Sequence, residues 1–170
     1  LTDKQVIDVH QRRLETVLRV HTRDLNVHQT VFGGHLLGLA DELPAILARR
    51  LTGRDVATAT FDQVNFWEPF TDQEDLILES FITGVTGRAV ETFTIIWGED
   101  MYHQVRKLGF SCFNLYVVLD KEFAWDHSLI LKGTTPLERS LISSFEQRQA
   151  TRLLWRDTKH DLISGQQGSE

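Results

Sequence analysis

A single cysteine, Cys112, stands in the 170 residues, so no disulfide can form within the chain, and this composition predicts a reducing, cytoplasmic setting. Apolar runs are short. None approaches the ~20 residues needed to cross a bilayer, and Asp3 and Asp8 fall where a signal peptide would need an apolar stretch. Basic residues are outnumbered, 18 against 24 acidic, and the net charge of −6 argues against a nucleic-acid surface, which needs a basic stripe. The same field opposes a phosphorylated ligand unless a few local Arg and Lys residues hold it. No G-x-S-x-G elbow, P-loop or G-x-G-x-x-G is present. The seven histidines are scattered, and His28 and His35, though neighbours, lack a metal-ligand spacing, so neither metal nor cofactor is expected.

What is present suits one domain with a sizeable core. Its centre is the stretch Asp24 to Arg50, DLNVHQTVFGGHLLGLADELPAILARR. A polar segment ends in Gly33-Gly34, and an apolar run of helical length comes next, predicting a helix over about 34–50 that is buried on nearly every side. Arg49 and Arg50 at its end suit the negative pole of the helix dipole. Pro44 lies inside it and removes the bond to the carbonyl of residue 40, so the helix either kinks there or breaks into two segments, and a kink is the expectation.

Around this helix the pattern is of strands. Residues 1–11 read as a short, peripheral first helix. Alternation from Leu14 to Val20, β-branched and aromatic residues from Val56 to Phe66 closed by Pro69, and runs at 76–83, 89–97 and 107–119 predict five strands. Gly84 to Arg88 makes a hairpin connection. Thr135, Pro136 and Glu138 form a capping box for a C-terminal helix to about Asp157 that buries Leu137, Leu141 and Phe145 and reaches Leu153 and Leu154. Trp67, Trp97, Trp125 and Trp155 read as core or interface. The units are thus 1–122, a helical extension of the same domain over 123–163, and a disordered tail over 164–170. One buried helix and then a run of strands points to an α+β fold, an antiparallel sheet curled round the helix.

The acid pair Asp41 and Glu42 is out of place on such a helix. Gly38 and Ala45, one turn away on either side of Asp41, leave room for a substrate chain or another backbone. Two readings of Asp41 fit: a working carboxylate, or a carboxylate paired with an arginine at a subunit contact. Gly33-Gly34 at the helix start reads either as a source of unpaired N–H groups for an oxyanion or as tight packing against a strand. Asn26 either hydrogen-bonds a substrate group or closes a turn, and the turn is the reading the residue alone favours. Cys112, within a strand, reads as core.

Three stretches and a final match, in order, resemble the hotdog-fold acyl-CoA thioesterases, in particular the bacterial acyl-CoA hydrolase branch related to the brain-type enzyme. Asp24-Leu25-Asn26, Phe32-Gly33-Gly34-His35-Leu36-Leu37 and Asp41 are similar to D-x-N-x-x-G-x-x-F-G-G-x-L-(L/M)-x-x-x-D. Val64 to Pro69 resembles (V/M)-x-F-x-x-P, and Val85-Thr86-Gly87-Arg88 resembles a V-G-(R/K) turn, with Trp97 ending the next strand. Tyr116 to Asp120 resembles the closing F/Y-V-A-V-D. The resemblance covers about 14–120 and implies a hotdog fold with a C-terminal helix added, a homodimer with one continuous sheet, and assembly into hexamers. It implies hydrolysis of acyl-CoA to free acid and CoA. Asp41 matches the general base or nucleophile, Asn26 the polar residue supplied by the other protomer, and Gly33 and Gly34 the donors to the thioester carbonyl. Gly87 and Arg88 match the turn that contacts CoA.

Two departures stand out. Gln29 replaces a glycine, and a Cβ there does not take a positive φ cheaply, so a changed loop is expected. Pro44 replaces a small residue beside Asp41. Two other readings remain: an (R)-specific enoyl-CoA hydratase working through Asp24 and His28, and a non-catalytic acyl-CoA-binding hotdog protein.

Overall fold

A computed structural model describes residues 5–100, 102–103, 105–125 and 129–164, without the side chains of 157 and 159–163. The elements are β1 (Val6–Asp8), β2 (Leu14–Arg19), α1 (Gly33–Thr52), β3 (Val56–Phe66), β4 (Glu74–Thr86), β5 (Ala89–Asp100), β6 (Arg106–Val118), β7 (Ile130–Lys132), α2 (Pro136–Ser143) and α3 (Phe145–Ser164). Five strands form one sheet in the order β2-β4-β5-β6-β3, every pair antiparallel. Its concave face holds α1. Leu36, Ala40, Leu76, Leu78, Ile96, Phe110 and Cys112 form one core cluster beneath the helix; Leu47, Ala48, Ile82, Val90 and Tyr116 belong to a second. The α+β class and the wrapped antiparallel sheet expected from the sequence are both found.

Two long strands, β4 and β6, have 13 residues each, and β5 between them has 12. Gly87, at φ 53, turns the β4–β5 hairpin. Gly53, at φ 63, ends α1 in a left-handed cap whose N–H donates to Arg49 O.

Five details differ from the sequence reading. Residues 6–8 are a strand, not a helix: β1 pairs in parallel with the short β7, and Ile7 and Val9 are buried. Three residues carry too little periodicity to be told from a helical turn. Second, α1 is buried along one stripe, Leu36, Ala40, Pro44, Leu47 and Ala48, rather than all round. Its apolar residues outnumber the positions that one sheet can cover. Third, α1 runs as one helix through Pro44 and on to Thr52, which leaves aside the alternative of two segments and extends past the expected end at Arg50.

Fourth, the C-terminal helical region is two helices, α2 and α3, which divide at Ser144. Leu137, Leu153 and Leu154 are exposed, whereas Glu138, Arg148 and Arg152 are buried. For the two arginines the reason is an ion cluster on the convex face of the sheet, and Glu138 is held apart from it by the N–H groups of Thr134 and Thr135 and by His10. Glu91, on β5, is 0% exposed and accepts from Arg148 Nη2 at 2.7 Å and from Thr83 Oγ1 at 2.5 Å. Arg152 Nη2 lies 2.5 Å from Glu91 Oε2, an ion contact whose angle does not make a hydrogen bond, and Arg152 Nε donates to Asp62. The Arg148 guanidinium also sits 4.2 Å above the Phe113 ring.

Fifth, the tryptophans do not share one setting: Trp155 is 72% and Trp67 55% exposed, so of the two readings only interface applies to them, while Trp97 and Trp125 are half-buried. In the expected tail, Ser164 ends α3, and 165–170 lie outside the described residues.

Candidate active site

Asp41 sits midway along α1 with its side chain at the edge of the buried stripe, half-buried. Asp41 Oδ1 accepts a hydrogen bond from Thr58 Oγ1 at 2.5 Å. Before it lies an open hollow of about 520 Å³ lined by Leu37, Gly38, Asp41, Phe61 and Val64, four of the five without a polar side-chain atom. A Cβ added at Gly38 would meet nothing within 4 Å, so the space expected beside the carboxylate is present. Among the described residues no Lys, Arg or His forms an ion pair with Asp41.

Thr58 is a residue that sequence reasoning missed. A strand that alternates strictly would put 58, 60, 62 and 64 on one face. Instead β3 breaks register between Thr58 and Thr60 and again between Asp62 and Asn65, with Gln63 at φ 47. Each break inserts a residue and re-aims the side chains beyond it. Thr58 therefore meets α1, Phe61 and Val64 pack on the core below it, and Asp62 points to Arg152 on the opposite face. The signal available was the run of Thr and Ala in 57–60, which is weakly apolar for a core-facing strand.

Pro44 shapes the other side of Asp41. The Ala40 carbonyl has no N–H donor four residues on, because proline has none. The buried Tyr116 hydroxyl, reaching up from β6, lies 2.9 Å from Asp41 O and 3.3 Å from Ala40 O, so its one proton is shared between the two carbonyls and gives Ala40 O the longer bond. Burial, and next the Asp41 carboxylate, push the Tyr116 phenol well above its ordinary range, so it stays a donor. Burial likewise raises the Cys112 thiol to about 12, in keeping with a core role.

At the helix start, Phe32 is the N-cap, and the local bonds begin with His35 N–H on Phe32 O at 2.8 Å. The N–H groups of Gly33 and Gly34 are among those with no partner inside the helix. The reading of tight packing against a strand is met at Gly33. A Cβ on Gly33 would lie 3.1 Å from the Phe66 ring of β3, and one on Gly34 would overlap the Phe32 ring.

The 25–31 segment is a tight loop closed by the Leu25–Val31 bridge. The Asn26 side-chain Oδ1 accepts from His28 N–H at 2.8 Å and Thr30 N–H at 3.3 Å, so within its own chain Asn26 is a turn-former. Gln29 takes φ 60. It thus holds a positive φ although it carries a Cβ, the conformation that a side chain does not take cheaply. Asp24 caps the preceding turn, accepting from His21 N–H, and faces His35 Nε2 at 3.9 Å; no hydrogen bond or ion pair joins it to His28. Arg88 Nη1 donates to Val118 O at 3.0 Å and Asp120 O at 3.4 Å, which ties the Gly87 hairpin to the end of β6. Among the described residues no three His, Cys, Asp or Glu side chains are grouped to hold a metal, and no helix is long and apolar enough to cross a membrane.

The thioesterase superfamily profile matches residues 28–103, a span that holds Gly33, Gly34, Asp41, Thr58 and Arg88. Over that span the chain is similar to the thioesterase superfamily. The uncharacterized acyl-CoA thioester hydrolase YkhA of Bacillus subtilis is 34% identical over 102 residues, 60% of this chain, and the match spans 59% of that relative's length. An apo-hexameric acyl-CoA thioesterase superposes with a TM-score of 0.80 at 25% identity, over 89% of this chain and 97% of that one. The acyl-CoA hydrolase of Staphylococcus aureus, solved with butyryl coenzyme A and coenzyme A, superposes at 0.84 with 24% identity, over 94% and 98%. These matches establish the hotdog fold for this chain.

Proposed function

We propose that this chain hydrolyses acyl-CoA thioesters to free acid and CoA, with Asp41 as the working carboxylate. The observation that carries the reading is the setting of Asp41: a carboxylate without a counter-charge among the described residues, hydrogen-bonded to one hydroxyl, at the mouth of an apolar hollow. Thr58 holds Oδ1, which leaves Oδ2 to take a proton from water or to attack the thioester carbonyl. The unpaired N–H groups at Gly33 and Gly34 supply donors for the developing oxyanion. A thiolate leaves readily, so base, water and oxyanion donors suffice. The relatives named as acyl-CoA hydrolases support the same chemistry.

In this reading the site is completed by a second protomer. β3 is an edge strand with one side unpaired, and it carries Thr58, so pairing of β3 with the same strand of a partner builds one continuous sheet beside the hollow. Asn26 reaches the site from that partner, and dimers assemble into hexamers, as the hexameric relative does. The Gly87-Arg88 hairpin lies along the path of the CoA moiety, and the setting is cytoplasmic, where CoA and a reduced Cys112 are both at home. A CoA-release assay across acyl lengths, with wild type and Asp41→Asn together, tests the assignment. Turnover by wild type and a loss of 100-fold or more in the variant is expected (about 3 kcal/mol); full turnover by Asp41→Asn removes Asp41 from the mechanism.

A further inference from the structure

A hollow that the hydrolytic site does not use lies where the last turns of α1 meet β4 and the turn between β1 and β2. It measures about 250 Å³. Its floor is aliphatic: Leu47 and Ile82 are 2% and 3% exposed, and Leu51 is half-buried. Its rim is basic. Arg50 comes from α1, and Arg12 and Arg13 come from the turn. Asp8 Oδ1 fixes that turn, accepting from His10 N–H at 3.1 Å and Gln11 N–H at 3.2 Å. Among the described residues no Asp or Glu lines the hollow, and neither Arg12 nor Arg50 has an ion-pair partner. Arg13 is held to one side, 3.3 Å from Glu15 and 2.8 Å from His10 Nε2. The dipole of α1 accounts for Arg50 in its last turn, and not for Arg12 and Arg13. Three cations that converge on one opening, in a chain whose net charge is −6, form a local field for an anion.

We propose that this hollow binds a free alkyl carboxylic acid, its carboxylate on Arg12 and Arg50 and its chain on Leu47, Leu51 and Ile82. That such an acid is also of the class the enzyme releases rests on the acyl-CoA reading of the Asp41 site; the hollow itself does not. A guanidinium fork matches a carboxylate with two parallel bonds. A bare phosphate could take the arginines, but it would leave the aliphatic floor unused, whereas an alkyl chain laid on that floor gains by leaving water. The volume falls below the roughly 300–1,000 Å³ of sites for drug-sized ligands, so the chain is short. The site is separate from the hydrolytic one. Arg50 lies nine residues beyond Asp41, about 14 Å along the helix and about 180° round it.

The test is calorimetry on the full chain with sodium octanoate as the probe. It compares wild type with Arg12→Gln/Arg50→Gln and with a charge-matched control, Arg49→Gln/Arg54→Gln, whose arginines pair with Asp55 and Asp120 nearby. Melting curves confirm that both variants fold. Octanoate is expected to bind wild type and the control alike, and to lose about tenfold or more in affinity for Arg12→Gln/Arg50→Gln. Acetate, the same head without the chain, is expected to bind wild type at least about tenfold more weakly than octanoate. Saturating CoA should leave the binding that depends on Arg12 and Arg50 unchanged. No binding by wild type overturns the proposal, as does equal binding by Arg12→Gln/Arg50→Gln, which places the acid in the Asp41 hollow. An equal loss in the two variants overturns it as a diffuse effect of charge. Acetate or inorganic phosphate binding as tightly as octanoate removes the role of the floor, and displacement by CoA makes the hollow part of the substrate's own site; either overturns it too. Turnover decides the other question. A wild type that binds octanoate here but releases CoA from no acyl-CoA loses the hydrolase reading and keeps this site.

Discussion

The hydroxyl of Thr58 lies 2.5 Å from Asp41 Oδ1, joining a bulged edge strand to the centre of the buried helix. Thr58→Val keeps the shape of the side chain and removes the donor. Since Thr58 is exposed, the fold should be unaffected. A hydrogen bond to a charged group is worth about 1.5–3 kcal/mol, so kcat in a CoA-release assay is expected to fall at least tenfold with little change in KM. An unchanged kcat separates Thr58 from the chemistry.

The Tyr116 hydroxyl substitutes for the backbone donor that Pro44 lacks. Tyr116→Phe leaves the Ala40 carbonyl buried without a partner, at a cost of about 1–3 kcal/mol. Pro44→Ala restores the missing N–H. In a double-mutant cycle, the cost of Tyr116→Phe measured by urea unfolding should therefore be smaller in the Pro44→Ala background. Equal costs in the two backgrounds contradict the substitution.

Gln29 holds φ 60 in the loop that closes with the Leu25–Val31 bridge. A left-handed conformation costs a side-chain-bearing residue about 1–2 kcal/mol, which glycine avoids. Gln29→Gly is expected to raise the melting temperature by a few degrees despite the greater freedom of glycine in the unfolded chain. A lowered melting temperature shows that the Gln29 side chain makes good its own strain.

Glu91 carries no exposed surface and faces two arginines of α3. Glu91→Gln removes the charge and leaves Arg148 and Arg152 buried without it, an imbalance worth about 3–5 kcal/mol. The measurable result is a large drop in the urea midpoint, together with faster proteolysis within α3. A midpoint within error of wild type shows that water, rather than Glu91, balances these arginines.

Glu138 gives a pH dependence whose sign is fixed. Its burial alone raises the carboxyl pKa, but the backbone N–H groups of Thr135 and Thr134 and the His10 ring outweigh it, and the value lies below the ordinary 4.5. A carboxylate whose folded pKa is depressed stabilises the fold above its unfolded pKa and loses that stabilisation as pH falls through the folded value. The wild-type melting temperature should thus fall more steeply below pH 4.5 than that of Glu138→Gln. Parallel profiles assign the acid sensitivity to other carboxylates.

Much of this was legible from order along the chain. The Asp24–Asp41 stretch is local: its glycine pair and apolar run announce a helix start by spacing, whereas roles for its glycines and acid come only with the family resemblance. The capping box at Thr135 and Glu138 formed as read, because such a cap is a matter of four consecutive residues. Thr58 was hidden because two bulges interrupt the period that a strand reading relies on. Arg148 and Arg152 were hidden because they are buried through ion pairing with a glutamate 57 residues before Arg148, which no hydrophobic stripe reports. β1 and β7 escaped notice since each has only 3 residues and gains its identity from the other.

The two bulges give β3 something like a reading frame. Its single strand serves two masters: Thr58, Phe61 and Val64 face the helix, while Asp62 serves α3 behind the sheet. Deleting Ala59, an exposed alanine with no evident contact of its own, would shift one of these sets to the other side. A loss of one small side chain would thereby reach both the carboxylate in front of the sheet and the ion cluster behind it, whereas Ala59→Ser, which keeps the frame, should leave both intact.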